Sequence, residues 1–68
     1  MDKKKLMQEI WKETLQLEQL PAVDVSFFEL GGNSFLATKV CMMYEDKTGI
    51  EIEMSDFYEK ETIENLVD

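Results

Sequence analysis

Apolar residues recur at helical spacing from about residue 3 to residue 19. Leu6, Ile10, Thr14 and Leu17 fall on one stripe, and Met7, Trp11 and Leu15 widen it to nearly half the circumference. Glu9, Lys12, Glu13 and Gln16 occupy the other side, so the segment predicts an amphipathic helix. Glu9 and Glu13 repel mildly at i,i+4, while Glu9 and Lys12 offer a favourable i,i+3 pair. Lys3, Lys4 and Lys5 oppose the helix dipole at its start, and fraying is expected there. Pro21 stops the helix, because Leu20 before it is pushed away from the α region. Residues 20–33 then read as a long loop, which in so short a chain implies packing or function. Val23, Val25, Phe27, Phe28 and Leu30 give that loop apolar surface to bury. Ser26-Phe27-Phe28-Glu29 has capping-box spacing, which predicts one helical turn just before Gly31 and Gly32.

A second helix is predicted from Ser34 to about Thr48. Leu36, Val40 and Met43 share its inner stripe with Ala37 and Tyr44 beside it, and Phe35, Thr38, Lys39, Met42 and Asp46 lie on the opposite side. Asn33 and Ser34 are good N-cap types, and Gly49 suits the left-handed position that ends a helix. Cys41 lies at the margin of the inner stripe and is expected to be a buried, inert thiol. Ile50-Glu51-Ile52-Glu53-Met54 alternates with period two, the pattern of a strand. With no second strand to pair with, it reads as an extended connector burying Ile50, Ile52 and Met54. Ser55 is expected to cap a short turn over residues 55–58, with Phe57 and Tyr58 plugging the interior. Thr62 opens a last short helix over residues 62–67 with Ile63, Leu66 and Val67 facing inward. A helix of that length holds only by packing.

The chain of 68 residues makes a single domain, 1–68, with a small core. One cysteine excludes an intramolecular disulfide, and without histidine no zinc site of the usual Cys/His kind can form, so no metal is expected. The net charge of −8, with no arginine, argues against nucleic acid as a partner and favours basic protein surfaces. Residues 51, 53 and 55 have the two-residue spacing of a calcium loop, but Asp56 then falls at the glycine position and Thr62 at the bidentate glutamate position, so that reading fails. No apolar run reaches the length of a membrane span and no signal peptide is visible, so no membrane association is expected and the cytoplasm is the expected compartment. Met1 and the lack of a linker favour a free-standing chain, and a monomer is expected.

The candidate chemistry is concentrated in Phe27-Phe28-Glu29-Leu30-Gly31-Gly32-Asn33-Ser34-Phe35-Leu36-Ala37. Two adjacent glycines permit positive φ and close approach of another surface. Ser34 is a hydroxyl on the first turn of a helix, in front of an uncrowded loop. A phosphate ester on it would gain roughly 0.3–1 kcal/mol from the helix dipole. No histidine base, arginine clamp or triad partner accompanies it, so side-chain catalysis is not expected and the chain is not read as an enzyme.

Leu30-Gly31-Gly32-Asn33-Ser34-Phe35, preceded by Phe27-Phe28-Glu29, closely resembles the phosphopantetheine attachment motif of peptidyl and acyl carrier proteins. Ile10-Trp11 with Leu15 also resembles the first helix of those domains, and the element order resembles their fold over essentially the whole chain. The resemblance implies an all-α, small four-helix bundle of the acyl-carrier type with a long loop between helices 1 and 2. It implies covalent 4′-phosphopantetheine on Ser34, with Gly32 and Asn33 as part of the attachment site. A phosphopantetheinyl transferase would install the arm, an adenylating or other acyl-loading enzyme would charge it, and a downstream condensation or transfer enzyme would receive the cargo. Gly31-Gly32-Asn33-Ser34 is more similar to nonribosomal-peptide carriers than to fatty-acid or polyketide carriers, which remain the alternative within the class. Phe35, Lys39 and Met42 form the expected partner face. An unmodified helical adaptor using that same face is the alternative from outside the class. The chain departs from the family pattern in three places. Val25-Ser26 replaces an acidic or polar pair before Phe27, Glu61 stands where many members have proline, and the chain stops early, at Asp68.

Overall fold

The computed structural model describes residues 2–67; Met1 and Asp68, the ends of the expected domain, lie outside the described residues. Four helices follow one another: α1 Lys3–Leu15, α2 Ser34–Thr48, α3 Met54–Lys60 and α4 Ile63–Leu66. Packing runs in a closed ring, α1 on α2, α2 on α3, α3 on α4 and α4 back on α1. The fold is thus the all-helical four-element bundle implied by the motif.

The long helix α1 buries Met7, Ile10 and Trp11, with Leu6 and Leu15 half-covered at its flanks. Its lysine-rich start is capped by Asp2, whose side chain accepts from the Lys5 N–H at 3.1 Å. The helix ends at Leu15, not near residue 19. Gln16 turns into the left-handed region at φ 55°. Its N–H donates to the Glu13 carbonyl and the Leu17 N–H donates to the Lys12 carbonyl at 2.9 Å, the paired bonds of a Schellman turn. Pro21 limits how far a helix could run, but this turn ends it earlier and brings Pro21 back to α1. There the Gln8 side-chain amide donates to the Pro21 carbonyl at 2.6 Å.

The loop from α1 to α2 is pinned at several points along its length. The Val23 carbonyl accepts from Glu64 N–H at 3.0 Å and Phe27 N–H donates to the Glu61 carbonyl at 2.8 Å, tying the loop to α4 and to the turn before it. Phe27 lies in the middle of the core. Its ring meets Trp11 at 4.9 Å and Phe57 at 5.0 Å between centroids, both edge-on, the favoured geometry for aromatic pairs.

On α2 the buried positions are Ala37, Val40 and Tyr44, while Leu36, Cys41 and Met43 are half-buried against the core. The inner stripe is therefore centred one position beyond the Leu36–Val40–Met43 line expected from the pattern. The helix packs against α1 and α3 at once, which covers both flanks of the stripe partially rather than one flank fully.

Further expectations are corrected in the last third. Residues 55–58 are not an isolated turn but the interior of a seven-residue helix, and its N-cap is Glu53 rather than Ser55. Only Phe57 of its two aromatics is buried; Tyr58 is 54% exposed. Successive residues of a helix point about 100° apart, so the narrow buried face of a two-turn helix does not take both. The connector before it buries Ile52 and half-buries Met54 but leaves Ile50 40% exposed. An unpaired segment is not held to the strict alternation of a strand.

Candidate functional site

The site begins with the buried Phe27 ring. After it the chain makes one tight turn, in which Leu30 and Gly32 N–H groups both donate to the Phe27 carbonyl, at 3.2 and 3.1 Å. Gly31 closes the turn at φ 95°, a conformation that side-chain-bearing residues rarely adopt, with open space beside it. Gly32 is different in kind. A Cβ there would overlap the Phe27 ring and lie 2.8 Å from its carbonyl oxygen, so the packing of the core itself requires glycine at this position.

Asn33 follows in extended conformation and caps α2. Its side-chain oxygen accepts from Leu36 N–H at 2.9 Å and its carbonyl from Ala37 N–H at 2.8 Å. Ser34 is then the first helical residue, and it is exposed. Its carbonyl is held by the Thr38 hydroxyl, which donates to it at 2.9 Å and lies 3.5 Å from the Met54 sulfur of α3. Ser34 Oγ is hydrogen-bonded to the Tyr58 hydroxyl. The Tyr58 ring in turn stacks on Phe28, with centroids 5.3 Å apart and planes inclined by 17°.

No acid lies in the first turn of α2, and the first N–H groups of a helix have no partner within it. An exposed hydroxyl in this position accommodates a phosphodiester without like-charge repulsion from its own turn. Surface depressions on the chain, one along α1 and one beside Met42, Glu45 and Asp46, do not include Ser34. The site is an accessible hydroxyl on a fixed platform.

Phe35 and Met42, on the outer side of α2, are 69% and 67% exposed. The Lys39 ammonium lies 5.1 Å from the centre of the Phe35 ring, a cation–π contact that steadies both side chains. Cys41 is half-buried. Burial pushes its thiol up, the Asp56 carboxylate adds to this, and a backbone hydrogen bond acts the other way. That leaves a protonated, poorly nucleophilic sulfur at neutral pH.

Of the sequence-based site residues, the structure places Gly32, Asn33, Ser34 and Phe35 together at the start of α2, with Lys39 and Met42 further along its outer side. Sequence reasoning missed Tyr58 as a neighbour of Ser34. The available signal was its position next to Phe57, since only one of two adjacent residues on a short helix can face the core.

A family profile described as phosphopantetheine attachment site matches residues 5–68. The chain belongs to that family. Its prosthetic group, 4′-phosphopantetheine, is carried covalently, and the exposed Ser34 hydroxyl fits such an attachment. Among curated relatives, the chain is 34% identical over 58 residues to surfactin synthase subunit 1 of Bacillus subtilis (strain 168), covering 85% of this chain and 2% of the relative. It is 39% identical over 61 residues to enniatin synthase of Fusarium equiseti, covering 88% and 2%. It is 36% identical over 61 residues to the beauvericin nonribosomal cyclodepsipeptide synthetase of Beauveria bassiana, again covering 88% and 2%. The chain thus spans about one-fiftieth of the length of the relatives it matches.

Proposed function

We propose that this chain is a carrier of acyl or aminoacyl groups in nonribosomal peptide-type synthesis, modified on Ser34. The observation that carries the proposal is the exposed Ser34 hydroxyl at the first position of α2, presented by the Gly31-Gly32-Asn33 turn in a chain of the attachment-site family. The similarity to a nonribosomal cyclodepsipeptide synthetase supports the peptide-type assignment over fatty-acid or polyketide carriers.

Ser34 Oγ attacks the pantetheine-side phosphorus of the coenzyme A pyrophosphate on a phosphopantetheinyl transferase. The Oγ–P bond forms, the P–O bond to adenosine bisphosphate breaks, and the serine proton leaves with the enzyme's base. When bound, the arm supplies a terminal thiol that holds acyl groups as thioesters. The chain's residues do the rest. Asn33 and Thr38 fix the backbone at Ser34, Gly31 sets the turn, and Gly32 lets that turn sit on Phe27.

The chain acts as substrate and tether rather than as a catalyst. Tethering raises the effective concentration of the cargo at each partner in turn. Those partners are the transferase, an adenylating or acyl-loading enzyme and a condensation or transfer enzyme, and Phe35, Lys39 and Met42 form the face they contact. The exposed apolar pair Phe35 and Met42 favours that use, since both lie beside the modified residue. A coenzyme A-derived arm and the free Cys41 thiol fit a chain working in the cytoplasm. Among the described residues, no helix is long and apolar enough to cross a membrane.

The test is loading. The modified protein, incubated with an adenylating enzyme, its amino or aryl acid and ATP, should acquire an acyl group that hydroxylamine releases. Loading that persists on Ser34→Ala would remove the mechanism. Efficient loading by a malonyl transferase alone would move the chain to the fatty-acid or polyketide class.

A further inference from the structure

Tyr58 is a large aromatic residue left 54% exposed in a chain whose other core-facing aromatics, Trp11, Phe27, Tyr44 and Phe57, are all buried. It is nonetheless not free to swing. Its ring stacks on Phe28, which meets the buried Phe27 edge-on at 5.7 Å, so the phenol is anchored to the core through two aromatic contacts. The backbone beneath it belongs to α3, which is joined to α2 by the approach of Thr38 to Met54. The polar end of that anchored ring meets one group, the Ser34 hydroxyl.

We propose that Tyr58 is a positioning residue for the attachment hydroxyl. Its phenol fixes the side-chain rotamer of Ser34 in the unmodified chain and, once Ser34 is esterified, donates to an oxygen of the phosphodiester. The inference rests on Ser34 being the attachment site.

The chemistry follows from which atoms carry protons. Before modification, the two hydroxyls can share their hydrogen bond in either direction. After esterification Ser34 Oγ has no proton and is a bridging oxygen, a poor acceptor. The non-bridging oxygens hold the negative charge, and a phenol O–H already directed at that atom is placed to donate to them, forming a charge-assisted bond. The same donor meets the charge that develops as the Oγ–P bond forms, so its contribution belongs to the chemical step rather than to docking. The base of the arm then leaves the domain in a set direction.

The experiment compares the parent with Tyr58→Phe, which keeps the stack on Phe28 and loses only the hydroxyl. Each is modified by a phosphopantetheinyl transferase with coenzyme A, and kcat and KM for the carrier are measured. The 31P resonance of each purified product is recorded folded and in urea. The expected result is a kcat lower by about two- to tenfold in Tyr58→Phe, the range of one hydrogen bond, with KM unchanged. The folded parent should show a 31P resonance displaced from its urea value, and Tyr58→Phe should lose most of that displacement. A Tyr58→Phe protein matching the parent in either kcat or the 31P shift overturns the role of Tyr58 while leaving Ser34 as the attachment site. A folded parent that accepts no arm, with a transferase active on another carrier, overturns both.

Discussion

The Ser26 hydroxyl donates to the Glu61 carboxylate at 3.0 Å, joining the segment before the attachment motif to the end of α3. Glu61 adopts φ 57°, accepts Phe27 N–H at its carbonyl and donates its own N–H to Phe57. It thereby ties the end of α3 to the chain just before the attachment motif.

Proline should not be tolerated at position 61. It fixes φ near −65° and lacks the N–H that Glu61 gives to Phe57, so Glu61→Pro should cost roughly 3 kcal/mol in urea unfolding. Glu61→Gly keeps both backbone bonds and relieves the left-handed backbone, and should remain within about 1 kcal/mol of the parent. A proline variant as stable as the parent would show that the turn rearranges freely.

The two motif glycines should respond differently to alanine. Gly32→Ala places a methyl into the Phe27 ring and should cost roughly 1–3 kcal/mol as overpacking. Phe27→Leu should relieve part of that cost, because the clash is with the ring. Gly31→Ala meets no atoms and should cost only about 1–2 kcal/mol of left-handed strain, with no rescue by Phe27→Leu. Equal rescue at both positions would contradict the separate roles assigned to them.

The faces of α2 can be separated by stability and modification together. Val40→Ala, at a fully buried position, should cost about 1.5–3 kcal/mol. Leu36→Ala should cost less than a fully buried leucine does, since Leu36 is only half-covered. Phe35→Ala should stay within about 1 kcal/mol, as surface substitutions do, yet slow modification or loading. A Phe35→Ala variant unchanged in both assays would make that residue ordinary surface.

Burial of Cys41 gives a dependence on alkaline pH. Its folded pKa is raised above the ordinary value of 9.0, so the folded state holds the proton more tightly than the unfolded state. The associated stability is present below that value and is lost as pH rises through the folded pKa. Tyr44, raised by burial from 10.0, repeats the pattern higher up. The urea midpoint should therefore fall in alkali, and Cys41→Ala should remove the earlier part of the fall. A decline unaffected by Cys41→Ala would assign it to other groups.

How much of this was legible beforehand varied with local chemistry. Both ends of α2 carry decisive residues, Asn33 for the cap and Gly49 for the left-handed exit, and sequence alone locates them. The end of α1 carries no such mark, because Gln16 takes the left-handed position without being glycine. The place of Ser34 as the first residue of α2 was legible from the motif around it. Tyr58 and the Ser26–Glu61 bond were not, since each joins segments 24 or more positions apart, and neither contact leaves a periodic trace. The two glycines could be seen, but their different roles depend on where the Phe27 ring goes.

The most direct measurement is the intact mass of the folded protein after incubation with coenzyme A and a broad-specificity phosphopantetheinyl transferase. The parent should gain one phosphopantetheinyl group, and a Ser34→Ala variant with the same unfolding midpoint should gain none. An unchanged parent mass, with a transferase shown to modify another carrier, would contradict attachment at Ser34 and leave the chain as a helical adaptor.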